Sequence, residues 1–278
     1  MTRTDTKLQL RRNMGRLRRA VNFALNRERF KSVFTIFDED VFLVSYPKSG
    51  NTWTRFLVAN LLTGCKGVSF STMQGIVPDV YLTDDVRLRR MKPPRVIKSH
   101  EPYNPAYRNV VLIVRDPRDV AISYYYHLKR TRVINDECSL ESYLQLFLDG
   151  HFDAYGSWGE NVGSWIGARS GSKGFLLVRY EDLVSDTAKE LSRIAHFLSL
   201  SRTSNDIDRA VEESRIDKMR ELERKGSYSV AAIRTHRKDI PFVRSGVAGA
   251  WMHELSESET NSINTKWHNV MSTLGYIA

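Results

Sequence analysis

Cysteine is scarce in this chain. Only Cys65 and Cys138 occur among 278 residues, which is too few for a disulfide framework or a cysteine-rich zinc site. The sequence also lacks an apolar run long enough to cross a bilayer, and its N-terminus lacks the apolar core of a secretory signal. We therefore expect a cytoplasmic protein.

Excess positive charge is also absent from most of the chain. The net charge is +10, but residues 1–31 carry ten Lys or Arg against two acidic residues and so supply +8 of it. Apolar residues from Leu10 to Leu25 follow a helical spacing, which predicts a basic amphipathic helical arm. This arm could dock on the rest of the protein, contact a membrane through residues 7–31 or act as a targeting peptide. The near-neutral remainder, 32–278, disfavours general nucleic-acid binding.

Short apolar segments alternate with helical patterns after the arm. A chain with 41% hydrophobic and 27% charged residues suits one large α/β domain. The apolar runs predict buried strands at 41–45, 95–98, 110–114 and 174–178. The helical spacings predict helices at 52–62, 140–148, 187–198, 211–222 and 257–274.

The first strand leads through a short turn into a helix. Residues 46–51 separate the strand at 41–45 from the helical pattern at 52–62. Free N–H groups and the positive end of the helix dipole make such a helix start an anion site, and Lys48 adds a positive charge. The G-x-x-x-x-G-K-[ST] phosphate-loop pattern is absent, because Lys48 precedes Gly50. The alternative is a tight turn that carries a solvated lysine.

Polar side chains follow two later strands. Lys98 and His100 close the strand at 95–98, and Arg115 follows the strand at 110–114. The carboxyl ends of parallel strands face the binding crevice of an α/β sheet, and an arginine can hold a phosphate there in a fork. The alternatives are a structural histidine and a surface arginine–aspartate pair.

Several of these segments resemble one known family. The string Tyr-Pro-Lys-Ser-Gly-Asn-Thr-Trp at 46–53 resembles the loop of cytosolic-type sulfotransferases that binds 3′-phosphoadenosine 5′-phosphosulfate (PAPS). Further likenesses follow in the family's order and extend over 38–275: Lys98-Ser99-His100, Arg115 to Ser123, Tyr180-Glu181-Asp182-Leu183 and Phe242 to Gly246. The resemblance implies a three-layer α/β/α fold with a central parallel sheet, close to the nucleotide kinases. It makes 32–278 a sulfotransferase domain.

The resemblance also implies how the reaction proceeds. His100 matches the family's catalytic base and Lys98 a lysine that supports catalysis. We expect His100 to take the proton from an acceptor hydroxyl or amine. We expect Lys48 to neutralise charge on the leaving nucleotide, and Lys98 to help hold the sulfuryl oxygens. PAPS would be the donor and 3′,5′-adenosine bisphosphate (PAP) the product, with no metal required.

The nucleotide is expected to contact three groups of residues. The backbone N–H groups of residues 49–52 would cradle the 5′-phosphate. Trp53, Tyr180 and Ser214 would contact the adenine. Arg115, Ser123 and the segment 244–246 would bind the 3′-phosphate. In the family a second threonine is usual where this chain has Asn51, and a lysine where it has Ser245. The predicted contacts are Lys48, Ser49, Gly50, Asn51, Thr52, Trp53, Arg115, Ser123, Tyr180, Ser214, Arg244, Ser245 and Gly246.

The acceptor and two other functions stay open at this point. Phe70, Tyr81, Tyr103 and Trp158 are compatible with a small-molecule, glycan or lipid acceptor, such as a phenol, steroid or sugar. One alternative is a small-molecule kinase that uses ATP and Mg²⁺ and shares the strand–loop–helix logic. Another is a non-catalytic membrane-surface module that binds through the basic arm. The family's C-terminal dimer motif is not visible, so the oligomeric state is open.

Overall fold

The structure is a computed structural model that describes residues 34–152, 154–225, 237, 239–243 and 246–278. The predicted basic arm, residues 1–31, lies outside the described residues, as do Arg244 and Ser245. Within the described ranges, no helix is long and apolar enough to cross a membrane.

Four parallel strands form the central sheet. They are β1 Val41–Ser45, β2 Val96–Ser99, β3 Asn109–Val114 and β4 Phe175–Arg179, in the order β2-β1-β3-β4. Val41 pairs with Val96 on one side and with Asn109 on the other, and Val110 pairs with Phe175. All four strands were predicted to within one residue. Every residue of β1 and β2 is buried, which is typical of a parallel sheet covered on both faces.

Helices follow and connect the strands. Their bounds are α1 Asn51–Thr63, α2 Met73–Ile76, α3 Asp85–Arg90, α4 Pro117–Arg130, α5 Leu140–Leu148, α6 Trp158–Arg169, α7 Tyr180–Ser185, α8 Thr187–Phe197, α9 Ser204–Glu213, α10 Ile216–Arg224, α11 Trp251–Glu254, α12 Glu257–Lys266 and α13 His268–Thr273.

Alternate residues of β1 enter two different cores. Phe42 and Val44 pack into one apolar cluster with residues of α4, α5 and α6, whereas Val41 and Leu43 pack into another with residues of α1, α8 and α9. A strand directs successive side chains to opposite faces, so the sheet lies between two helical layers. The predicted three-layer α/β/α architecture with a central parallel sheet is thereby confirmed.

Two long helix predictions are wrong at one point each. The pattern at 211–222 is divided between α9 and α10, because the fully buried Ser214 is the C-cap that follows the last residue of α9. Its backbone carbonyl accepts a hydrogen bond from Trp53 Nε1 at 3.0 Å, so a tertiary contact fixes the break. The pattern at 257–274 is divided between α12 and α13 at Trp267.

Candidate active site

One cavity lies at the carboxyl edge of the sheet. It has a volume of about 930 Å³ and is bordered by the loop after β1 and by residues that directly follow the other three strands, namely His100, Arg115 and Tyr180. The predicted site residues that line it are Lys48, Gly50, Asn51, Thr52, Trp53, Lys98, His100, Arg115, Ser123, Tyr180, Ser214 and Gly246. Ser49 is fully buried behind this wall.

The loop after β1 takes an unusual backbone path. Gly50 has φ of 98° and immediately precedes α1, and Lys48 has φ of 70°. A Cβ on residue 50 would lie 2.5 Å from Cδ2 of Tyr180, so glycine is required both by the left-handed backbone and by the close ring. Among the described side chains, none caps the start of α1. Its first N–H groups are therefore available to an anion.

Two buried polar atoms in this loop region find no acceptor or donor within the described part of the chain. They are Ser49 Oγ and Asn51 Oδ1. The other end of the Asn51 amide donates from Nδ2 to Leu43 O at 3.3 Å and to Ser45 Oγ at 3.1 Å. Buried polar groups are rarely left without a partner in the state that functions, so these atoms fit a bound polar ligand.

Arg115 forms a second polar corner of the cavity. Its Nη2 donates to the carbonyl of Val247 at 2.9 Å and lies 3.4 Å from Asp119, while its Cζ lies 4.3 Å from the centre of the Tyr180 ring. Its buried Nε has no acceptor among the described residues. Gly246, which follows α10 in the chain, also lines the cavity and has φ of 70°. An anion at this corner would complete the coordination of the guanidinium.

Trp53 and Tyr180 form an aromatic part of the cavity wall. Their ring centres are 5.9 Å apart in an edge-on arrangement. The indole is fixed by its bond to the Ser214 carbonyl, and Ser214 Oγ accepts a hydrogen bond from Asn60 Nδ2 at 3.0 Å. Aromatic faces of this kind suit a planar ring such as a nucleobase. Asn60 was not predicted, because no local motif marks it.

His100 is held as one tautomer. Its Nδ1 lies 2.6 Å from the backbone carbonyl oxygen of Ser45. A carbonyl oxygen can only accept, so Nδ1 carries the proton and Nε2 keeps its lone pair. The desolvation caused by burial, assisted by the charge of Lys98, lowers the pKa of His100 from 6.5 to about 3. The imidazole is therefore neutral near pH 7, and Nε2 is the ring atom with a lone pair for a proton.

A buried ion pair stands beside His100. Lys98 Nζ lies 2.9 Å from Asp79 Oδ2, and both residues line the cavity. Burial lowers the pKa of Lys98, although Asp79 opposes the shift. Burial alone would raise the pKa of Asp79, but the charges of Lys98 and Arg55 outweigh it and hold that pKa below its usual value. Neither Asp79 nor Arg55 was predicted from the sequence.

The four aromatic residues considered for the acceptor have different environments. Phe70 lines the cavity. Tyr81 lies behind His100, whose backbone N–H donates to the tyrosine hydroxyl at 2.9 Å. Trp158 is fully buried against Trp267, and the exposed Tyr103 packs edge-on against the buried Trp165.

The cavity belongs to an α/β protein and combines polar groups at the start of α1 and at Arg115 with a histidine base candidate at the end of a parallel strand. A sequence model of the Sulfotransferase domain family matches residues 38–275. The chain therefore belongs to the sulfotransferase family. This assignment supports neither the kinase nor the non-catalytic membrane module.

Curated relatives agree with the assignment. The chain is 28% identical over 249 residues to 3-beta-hydroxysteroid sulfotransferase of Cavia porcellus, covering 86% of each protein. It is 30% identical over 268 residues to Sulfotransferase 1B1 of Mus musculus, covering 90% of this chain and 88% of the relative.

Solved structures share the fold. A mouse sulfotransferase, SULT7A1, complexed with PAP has a TM-score of 0.69 at 24% identity and covers 86% of this chain and 85% of its own. Retinol dehydratase in complex with androsterone and inactive cofactor PAP has a TM-score of 0.69 at 21% identity, with 86% and 82% covered. These likenesses support the three-layer architecture.

Proposed function

We propose that this protein transfers the sulfuryl group of PAPS to a hydroxyl group of a small, largely apolar acceptor. The observation that carries the proposal is the orientation of His100 on the wall of the cavity, where its Nδ1 lies 2.6 Å from the Ser45 carbonyl oxygen and leaves the lone pair on Nε2. Such a group can accept the proton of an attacking hydroxyl. The names of curated relatives include hydroxysteroid sulfotransferases, which supports an apolar alcohol as acceptor.

The nucleotide fits the polar atoms that lack partners. The first N–H groups of α1, together with Ser49 and Asn51, would receive the 5′-phosphate, and Arg115 with Ser123 would receive the 3′-phosphate. Trp53 and Tyr180 would enclose the adenine. The predicted contacts of Arg244 and Ser245 with the 3′-phosphate lie outside the described residues. PAP complexes of structural relatives support this choice of nucleotide.

His100, Lys48 and Lys98 have separate roles in the proposed transfer. PAPS supplies an activated sulfuryl group, whose bond to the 5′-phosphate breaks as the acceptor oxygen attacks sulfur. His100 takes the acceptor proton, an effect typically worth about 10²–10⁴-fold in rate. Lys48 would neutralise charge on the leaving nucleotide. In this structure its Nζ lies 4.7 Å from the centre of the Phe242 ring. Lys98 would stabilise the sulfuryl oxygens.

Calorimetric titration tests the nucleotide. We expect PAP to bind without metal, and Arg115→Ala to weaken it about 10–100-fold, because a charge-assisted hydrogen bond contributes about 1.5–3 kcal/mol. Arg108→Ala is the matched control, since the Arg108 side chain is 66% exposed and lies on the surface. Binding of ATP with Mg²⁺ but not of PAP would contradict the proposal.

An activity assay tests the chemistry. PAPS and a panel of apolar alcohols, including hydroxysteroids and retinol, should give sulfated products. His100→Gln should abolish most of this transfer while PAP affinity stays within a few-fold of the wild-type value. If His100→Gln retained full activity, another residue would have to be the base.

A further inference from the structure

The carboxylate of Asp79 is fixed next to the amine of Lys98 by the backbone as well as by charge. Residues 78–80 run parallel to the outer edge of β2, with an isolated bridge between Asp79 and Lys98. Lys98 N donates to Pro78 O at 2.8 Å, and Val80 N donates to Lys98 O at 3.1 Å. The side chains of both charged residues are only about a tenth exposed. Their 2.9 Å contact is therefore set by the backbone pairing of 78–80 with the edge of β2.

The other carboxylate oxygen of Asp79, Oδ1, is connected to His100 by hydrogen bonds of Tyr81. Asp79 Oδ1 accepts a hydrogen bond from Tyr81 N at 2.9 Å. The hydroxyl of Tyr81 accepts the backbone N–H of His100 at 2.9 Å and lies 3.2 Å from Ser99 Oγ. One carboxylate thus contacts the side chain of Lys98 directly and the backbone of the tyrosine that supports His100.

The surroundings of Lys98 would disfavour its charge without this carboxylate. Arg55, a second buried cation, donates hydrogen bonds to Val77 O and to Gln74 Oε1. The same Gln74 oxygen also accepts a hydrogen bond from Asp79 N. Among the residues that the structure describes, the groups that face Lys98 are Arg55, neutral His100, the Tyr81 ring at 4.9 Å and Asp79. Asp79 is the one carboxylate among them. A buried ammonium without a counter-charge tends to lose its proton.

We propose that Asp79 is a positioning residue for the reaction, which keeps Lys98 charged and oriented at the cavity and supports Tyr81 beneath His100. Asp79 acts through these neighbours and needs no contact with the transferred group. The part of the proposal that concerns rate rests on the proposed function, because it requires that Lys98 assist sulfuryl transfer.

The variant Asp79→Asn removes the negative charge of residue 79 but keeps the size and shape of its side chain. The amide oxygen can still accept Tyr81 N, but the negative charge beside Lys98 is lost. We expect kcat to fall by about 10- to 100-fold, with KM for PAPS changed less than threefold. Because less negative charge lowers the pKa of Lys98 further, the fall of kcat at alkaline pH should begin at lower pH than in the wild type. Asp79→Glu should restore part of the rate.

Two comparisons separate positioning from general stability. Asp40→Asn disturbs another buried ion pair, in which Arg95 Nη2 lies 2.5 Å from Asp40 Oδ2, outside the cavity lining. It should lower stability without moving the alkaline limb of kcat. In a Lys98→Met background, Asp79→Asn should cost little additional rate, because interacting residues are not additive. Equal additive losses in both backgrounds would overturn the proposal.

A measurement independent of activity completes the test. NMR of protein with labelled lysines, with Lys98→Met for assignment, reports the protonation of Lys98. Titration to lower pH in Asp79→Asn than in the wild type supports the proposal, and an unchanged titration overturns it. If no PAPS-dependent transfer is found at all, the proposed function fails, and this measurement still decides whether Asp79 keeps Lys98 charged.

Discussion

Nδ1 of His100 lies 2.6 Å from the backbone carbonyl oxygen of Ser45, the last residue of β1. This contact joins the ends of the two neighbouring strands β1 and β2, since His100 directly follows β2. A backbone carbonyl cannot be removed by mutation of its side chain, so the tautomer is built into the sheet. The sheet thereby presents a neutral imidazole to the cavity.

The protonation of His100 can be measured directly. Because burial lowers its pKa to about 3, the ring should stay neutral as the pH falls from 7 to about 5, whereas an ordinary histidine titrates near 6.5. NMR titration of the ring protons, with His100→Gln for assignment, checks this. A midpoint near 6.5 would mean that the ring is open to water and that the Ser45 contact does not persist in solution.

The same shift links folding stability to pH. The folded protein keeps His100 neutral, whereas the unfolded chain takes up a proton below about pH 6.5. The unfolded state therefore binds more protons between pH 6.5 and 3, and the contribution of His100 to stability is lost as the pH falls through this window. Urea unfolding should show a smaller loss between pH 7 and 5 for His100→Gln than for the wild type. Equal losses would contradict the linkage.

Gly50→Ala should damage both stability and nucleotide binding. The φ of 98° costs an L-residue about 1–2 kcal/mol. The added Cβ would also meet Tyr180 at 2.5 Å, so we expect a total loss of about 2–4 kcal/mol. Denaturant unfolding and PAP titration measure the two effects.

Gly167→Ala provides the matched control. Gly167 lies on the exposed side of α6, and a Cβ there would meet no atom within 4 Å. Alanine favours a helix over glycine by up to about 1 kcal/mol, so this variant should be neutral or more stable. If both glycine variants behaved alike, the close approach of Tyr180 to the loop would not be significant.

The strands and the loop after β1 were predictable because their signals are local. Four apolar runs define the sheet, and the change from strand to helix across residues 46–52 marks the candidate anion site within a single stretch of sequence. Lys48, His100 and Arg115 follow from the same logic, since residues at parallel strand ends meet at one edge. All of them line one cavity.

Other parts of the site depend on contacts between distant segments. Asp79 and Lys98 are 19 residues apart and meet only because 78–80 joins the edge of the sheet. The break at Ser214 follows from bonds to Trp53 and Asn60, which lie more than 150 residues away. Helical periodicity contains no information about either contact, so the pattern at 211–222 was read as one helix.

Glu223 joins the end of α10 to the segment that carries Phe242. Its carboxylate accepts the N–H groups of Phe242 at 2.7 Å and Val243 at 3.1 Å, and it lies 3.5 Å from Arg130 Nη2. The Phe242 ring in turn lies under Lys48 Nζ. Glu223 of α10 therefore helps to position Lys48 through Phe242.

Glu223→Ala should loosen this connection. We expect a stability loss of about 1–3 kcal/mol, because two part-buried N–H groups lose their acceptor, and a several-fold weaker affinity for PAP. Glu221→Ala is the control on the same helix, since Glu221 pairs only with Lys225 on the surface among the described residues, and such pairs contribute about 0–1 kcal/mol. Unchanged PAP affinity in Glu223→Ala, beside the expected stability loss, would show that the Phe242 segment does not help to position Lys48.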